Sequence, residues 1–207
     1  MSITNGYATV ANVQAADASV NALGTAATAT LERIIESASR AIDDYTDRVF
    51  FVAGSATARV YSAPESGVLT VDDVATSTGL TVATSTNLDG TYDVSWASSD
   101  FQAEPLNQIV SGRYSPITRL RAVGDYAFPV SARAGVQVTA RWGYATTVPT
   151  QVAQACIQLS LRFFARFGSP TGVQSSNDFG AVYVSRKLDP DVAMMLNRLC
   201  RTPVASA

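Results

Sequence analysis

The pattern of apolar and polar positions changes period inside the run VQVTARWGYATTVPTQVAQACIQLSLRFFARFG, from Val136 to Gly168. In its first part Val136, Val138 and Ala140 alternate with Gln137, Thr139 and Arg141, the period-two signature of a half-buried strand that runs into Trp142 and Tyr144. In its second part the apolar residues recur at helical spacing. Pro149 suits a first helical turn, where its missing N–H would have no partner in any case, and Gly168 can take the left-handed conformation that closes a helix. A strand therefore hands over to a helix predicted over 149–167.

Upstream, Val10, Val13, Ala16, Val20 and Leu23 form a weak amphipathic stripe that predicts a helix over 9–23, closed by Gly24. A stronger stripe of Leu31, Ile34, Ile35, Ala38, Ile42, Tyr45 and Val49 predicts a second helix over 30–48, with Thr30 as its cap. From about 56 to 142 the residue usage shifts to Thr, Val, Ser, Gly and Asp, which fits short strands joined by polar turns. Strands are expected at 59–62, 68–71, 79–83, 92–96, 117–122 and 136–142, with a tight hairpin at Asp89-Gly90. After the 149–167 helix, the polar segment from Ser169 to Gly180 reads as a long mobile or partner-bound loop. A short strand at 181–185 follows, and Asp189-Pro190 opens a last helix over 190–201 on Val192, Met195, Leu196 and Leu199. The expected fold is α+β: a bundle of N- and C-terminal helices with a large antiparallel β insertion between the second and third helices, all within a single domain of 1–207.

The chain of 207 residues is 47% hydrophobic, enough for a full core, and its formal charge of −2 offers no field that would hold it on phosphate or an anionic membrane. Lys187 is its single lysine among 15 basic residues. The N-terminal MSITNGYATVANVQ has no basic residue and no continuous apolar core, so no signal peptide is expected, and no apolar run is long enough to span a bilayer. A soluble product made in the cytoplasm follows as an expectation. Cys156 and Cys200 fall at apolar helical positions without metal-ligand spacing, and both read as buried free thiols.

Chemistry-bearing patterns are scarce. The chain has no histidine, which removes the commonest general acid–base near neutral pH and the Ser–His and Cys–His nucleophile pairs. No phosphate-binding loop or dinucleotide fingerprint occurs. The acidic pairs Asp43-Asp44 and Asp72-Asp73 diverge on a helix or strand; they read as a solvated helix face and a strand-edge turn. No catalytic residue, cofactor or metal is expected. Arg113, Arg119, Arg121, Arg133 and Arg141, interleaved with Tyr114, Tyr126 and Trp142, suggest either a nucleic-acid surface or ion pairs within or between subunits. Exposed Tyr92, Trp96 and Trp142 would instead serve an adhesin-like or carbohydrate-binding β module, an alternative that competes with core packing for the same rings.

Two opening helices, the insertion carrying VDDVATSTGLTVATSTNLDGTYDVS, the run VQVTARWGYATTVPTQVAQACIQLSLRFFARFGSP and a final helix ending LNRLCR together resemble head-tail connector proteins of long-tailed double-stranded DNA bacteriophages, from about Tyr7 to Arg201. The resemblance implies a non-enzymatic virion protein. It would form a homo-oligomeric ring, commonly dodecameric, below the portal vertex, extend the channel through which DNA passes, and meet the portal protein and the next connector, stopper or tail protein. Arg186, Lys187, Arg198 and Arg201 are then candidates for a portal or subunit interface, and Arg119, Arg121 and Arg133 for inter-subunit charges. The polar ends Ser2–Gly6 and Thr202–Ala207 would order on docking.

Overall fold

A computed structural model of the chain describes residues 3–22, 27–87, 89–130, 133–167, 173–176, 180–183 and 188–201. The chain divides into two compact units, 1–48 with 148–207 and 49–147. Helices and antiparallel sheets make it an α+β protein, as the hydrophobic periods predict.

The first unit is helical. Helix α1 (Val10–Ala16) opens with a reciprocal cap, in which Thr9 Oγ1 accepts from Asn12 N at 3.2 Å and Asn12 Oδ1 accepts from Thr9 N at 3.1 Å. The helix predicted over 9–23 is not continuous. Asp17 leaves the helical region at φ −141° and caps a separate short helix, α2 (Ala18–Asn21), by accepting from Ser19 N at 2.8 Å. Leu23 and Gly24 lie outside the described residues.

Helix α3 (Thr28–Thr46) buries Leu31, Ile34, Ile35, Ala38 and Ile42, the predicted stripe. Full burial of each of these larger side chains contributes about 1.5–3 kcal/mol. Three expectations about its ends fail. Thr30 lies inside the helix, whose cap residue is Ala27. The helix stops at Thr46, because Asp47 turns left-handed at φ 51°. Tyr45, still within the helix, and Val49, beyond its end, are both exposed instead of continuing the stripe.

Helix α4 (Thr150–Phe167) packs on α3 and α1 through Val152, Ala155, Cys156 and Leu159. Pro149 starts it from just outside, its carbonyl accepting from Val152 N and Ala153 N. Helix α5 (Pro190–Leu196) packs on α4 and is capped by Asp189, as predicted. It then tightens into a 3₁₀ turn at Asn197–Leu199 and ends, so the helix predicted to 201 is shorter and Cys200 stands outside it, half-buried. The N-terminal segment is tied down: Arg40 donates to the Asn5 carbonyl at 3.1 Å, Tyr7 N donates to Ser39 Oγ at 3.0 Å, and the Tyr7 hydroxyl bonds Asp43.

The second unit is all β. Its strands are β1 (Thr57–Tyr61), β2 (Val68–Val74), β3 (Thr81–Thr84), β4 (Val94–Trp96), β5 (Phe101–Glu104), β6 (Ile109–Val110), β7 (Arg113–Tyr114), β8 (Ile117–Ala122) and β9 (Val136–Ala140). One antiparallel sheet runs β1-β9-β3-β4, a second β2-β8-β5, and β6 and β7 form a separate hairpin. Leu69, Val71 and Val74 of β2, Ile117 and Leu120 of β8, and Val82, Trp96, Val136 and Val138 of the larger sheet share one core with Phe101, Phe128 and Trp142. The strand pattern predicted over 136–142 is right on the inward face of β9, whose burial alternates residue by residue.

Strands β5, β6 and β7 escape the sequence patterns, being two to four residues long. The expected tight hairpin at Asp89-Gly90 is not one. Gly90 does take φ +89°, but β3 and β4 pair from Thr84 to Val94 with a long connection between them. The helical unit also carries a two-stranded ribbon, β10 (Val173–Ser176) with β11 (Gly180–Tyr183). Part of the segment expected to be a loop is thus a strand, and the rest of it, with Gly168, Val184 and Ser185, lies outside the described residues.

Candidate assembly surfaces

The strand-to-helix run that dominates the sequence builds a corner of the β unit. After β9 the chain turns at Trp142-Gly143-Tyr144, and each residue of the turn is fixed. Trp142 Nε1 donates to the Thr57 carbonyl at 2.8 Å, Gly143 N to the Asp73 carbonyl at 2.8 Å, and Tyr144 N to the Val49 carbonyl at 2.9 Å. Phe50 packs against the Tyr144 ring at 5.1 Å. Over Trp142 sits the Arg59 guanidinium, 4.5 Å from the ring centroid, and the same guanidinium bonds Asp72 at 2.6 Å. Tyr61 donates to Asp72 at 3.0 Å, and its pKa is pushed up to about 12, first by burial and then by the carboxylate it bonds. Both residues of the Asp72-Asp73 pair lie within β2, not in a turn, and Asp73 is buried.

On the second sheet Glu104 of β5 stands opposite Arg119 of β8 and two pairs from Arg121, on the same face. It accepts from Arg121 Nε at 2.7 Å and pairs with Arg119 at 3.6 Å. The Arg121 hydrogen bond and the charge of both arginines hold the Glu104 carboxyl below its ordinary range. Two of the arginines proposed as inter-subunit charges therefore already have an acidic neighbour within the chain. The third, Arg133, is exposed in the turn before β9.

Of the remaining arginines, Arg141 donates to the Ala53 carbonyl at 3.3 Å, and Arg113 lies in the β6–β7 hairpin. The three rings named as carbohydrate platforms are largely covered. Trp96 and Trp142 are only 6% and 5% exposed, Trp96 being stacked on Phe128 at 4.7 Å. The half-buried Tyr92 spends its hydroxyl on the Ala134 carbonyl.

In the helical unit Arg198 is exposed on the 3₁₀ turn and Arg201 is half-buried, its N–H donating to the Thr46 carbonyl at 2.8 Å. Tyr45 donates to Asn197 at 2.5 Å, linking the end of α3 to the same turn. Arg186 and Lys187 lie outside the described residues. Asp43 is not on a freely solvated face: desolvation raises its pKa, against the opposing effects of the Tyr7 hydrogen bond and Arg40, 3.1 Å away. Cys156 is a buried thiol pushed up by burial, whereas Cys200 is not buried as expected. Among the described residues no group of three or more acidic or cysteine side chains is placed to hold a metal, and no helix is long and apolar enough to cross a membrane.

No protein-family model matches the sequence, and no curated protein matches it either. Solved structures do. The neck of an empty gene transfer agent particle, a phage-like particle, computed with C6 symmetry, contains a chain of TM-score 0.53 and 17% identity; the match covers 87% of this chain and 82% of that one. The neck of a native particle computed with C12 symmetry gives a TM-score of 0.52 at 17% identity, over 86% of each chain. This chain has the fold of a phage-like neck protein. The resemblance to head-tail connectors drawn from the helix order and the Trp-Gly-Tyr corner is therefore supported at the level of fold.

The polar groups described above engage one another: Asp72 bonds Arg59 and Tyr61, and Glu104 pairs with two arginines. The sequence offered ion pairs for Arg119 and Arg121 without naming their partner, and it gave no sign of the Arg59–Asp72 pair. Glu104 lies 17 residues from Arg121, and Asp72 13 from Arg59, separations with no local signature.

Proposed function

We propose that this chain is a structural subunit of the neck of a phage-like particle, assembling as a ring below the portal vertex that extends the DNA channel and joins capsid to tail. The observation that carries the reading is the match of 87% and 86% of the chain to neck structures computed with C6 and C12 symmetry, respectively. Twelve copies would suit the latter symmetry. A closed ring needs two different surfaces on each copy, which meet head to tail.

The charge fits a conduit. A chain of net charge −2 with one lysine does not grip a polyanion, so DNA can pass without being held. No enzymatic role is assigned, and neither cofactor nor metal enters the reading. Partners would be the portal protein on one side and the next connector, stopper or tail protein on the other.

Arg198 and Arg201, with Arg186 and Lys187, are proposed to meet the portal or a neighbouring copy, while Arg119, Arg121 and Arg133 are proposed as charges at subunit boundaries. All four of Arg119, Arg121, Arg133 and Arg198 are exposed, and Arg119 and Arg121 already share Glu104. The double variant Arg198→Glu/Arg201→Glu tests the first group. Loss of assembly, read by native mass spectrometry, with little change in thermal unfolding is the expected outcome. Equal loss of both properties would mean that the two arginines only hold the fold.

A further inference from the structure

Residues 3–8 form a strap that crosses the helical unit before α1 begins. Three residues of α3 hold it. Ser39 Oγ accepts from Tyr7 N at 3.0 Å, Arg40 donates to the Asn5 carbonyl at 3.1 Å, and Asp43 accepts from the Tyr7 hydroxyl. The Arg40 guanidinium also stands 5.6 Å from the centre of the Tyr7 ring and pairs with Asp43 at 3.1 Å, so Tyr7, Arg40 and Asp43 close a triangle. At Gly6 the strap is tightly fitted: a Cβ built there would run into Ile3 Cγ2 and lie 3.2 Å from Ile35 Cγ2 of α3. Against the strap lies Cys156 of α4, fully buried. Its sulfur is 3.5 Å from Ser39 Oγ and 4.0 Å from Ser160 Oγ, and the backbone of Tyr7 and of Ala8 bonds it from the strap side.

Closure of the strap is a balance of opposed effects. It buries the Tyr7 ring and Ala8, which are 4% and 6% exposed. The carboxylate that Tyr7 bonds is short of water, since desolvation raises the Asp43 pKa even against the Tyr7 hydrogen bond and the Arg40 charge. Glu36, one turn before Arg40 on the same face of α3, has its Oε2 buried without a hydrogen bond. A chain end held by one buried ring over polar groups that water would serve better belongs to the least stable parts of a fold, which open first. The strap also ends where α1 closes itself off. Thr9 is extended, at φ −105° and ψ 161°, and the cap it forms with Asn12 is internal to the start of α1, so the strap can lift without undoing that helix. We infer that Ile3–Ala8 is a lid that lifts as a unit about Thr9, with α3 and α4 still packed, and uncovers the Cys156 thiol.

The thiol itself reports the lid. In the full chain with Cys200→Ser, alkylation of Cys156 by iodoacetamide, which is small and uncharged, is followed by mass spectrometry at fixed pH over a urea series. Far-ultraviolet circular dichroism of the same samples follows the helices. Alkylation should proceed under native conditions, with a urea dependence much shallower than that of the helical signal, because lifting so short a segment exposes little surface. Two variants loosen the strap by different routes. Tyr7→Phe keeps the ring and removes the hydroxyl that bonds Asp43, and Gly6→Ala crowds Ile3 and Ile35. Each should speed alkylation in the absence of urea roughly tenfold or more while moving the helical midpoint little. A thiol that stays unmodified until the helices unfold would overturn the lid. Variants that are alkylated at the wild-type rate, or whose faster alkylation follows the helical signal through the urea series, would overturn it as well.

Discussion

Replacing Gly143 by alanine should unfold the β unit far more readily than its one added methyl group suggests. Gly143 has φ +139°, and a Cβ built there would lie 2.6 Å from the Phe51 carbonyl oxygen and 3.1 Å from Val52 Cα. Those contacts are with backbone, which cannot rotate away as a side chain can. The turn cannot shift either, since Gly143 N donates to the Asp73 carbonyl and its neighbours Trp142 and Tyr144 bond Thr57 and Val49. Backbone strain at such a φ costs on the order of 1–3 kcal/mol, and overpacking adds about 1–3 kcal/mol more. The upper part of that range is a large fraction of the roughly 5–15 kcal/mol that holds a domain together. Tryptophan emission is the assay of choice, because both tryptophans, Trp96 and Trp142, belong to the β unit. Gly67→Ala is the control: a Cβ there meets nothing within 4 Å, so its change should stay within about 0.5 kcal/mol. A Gly143→Ala protein whose urea midpoint matches the control would refute the close-approach argument.

Two further outcomes follow from the ionisable groups. Glu104 has its folded-state pKa lowered, chiefly by the Arg121 hydrogen bond, so its contribution is present above the unfolded carboxylate value and is lost as pH falls through the lower folded value. Glu104→Gln should therefore flatten the acid limb of a stability-versus-pH curve and leave the alkaline limb alone; an unchanged acid limb would count against the pairing. For Tyr61 the shift is upward, to about 12, so its contribution is complete below the ordinary tyrosine value of 10.0 and is lost as pH rises through the folded one. Tyr114 and Tyr126 are shifted upward too, so ultraviolet titration should show the late-ionising amplitude falling by one tyrosine in Tyr61→Phe, and an unchanged amplitude would contradict the assignment.

The long-period signals were legible in the sequence and the short-range exceptions mostly were not. Leu31 to Ile42 declared one face of α3 because helical spacing is maintained over several turns, and Val136 to Ala140 declared β9 by strict alternation. The break at Asp17 is a local side-chain decision: its carboxylate takes the Ser19 N–H and so starts a new helix where the apolar stripe alone would continue. Asp47 ended α3 in a left-handed conformation usually given to glycine, and Val49 beyond it lies outside the core. Strand β5 had no pattern long enough to read, although the Ser111-Gly112 dipeptide did carry a turn signal for the β6–β7 hairpin. At the surfaces, the burial of Trp142 followed from its place at the end of an alternating strand. Its cover by Arg59 did not, because that contact depends on the pairing of β1 with β9.

The central claim is a place in the particle, and imaging answers it most directly. In particles assembled with a tagged copy of this chain, single-particle reconstruction of the neck should find the tag at one vertex, as a ring of copies between the portal and the tail. Tag density spread over the capsid surface, or along the tail and its fibres, would contradict the account.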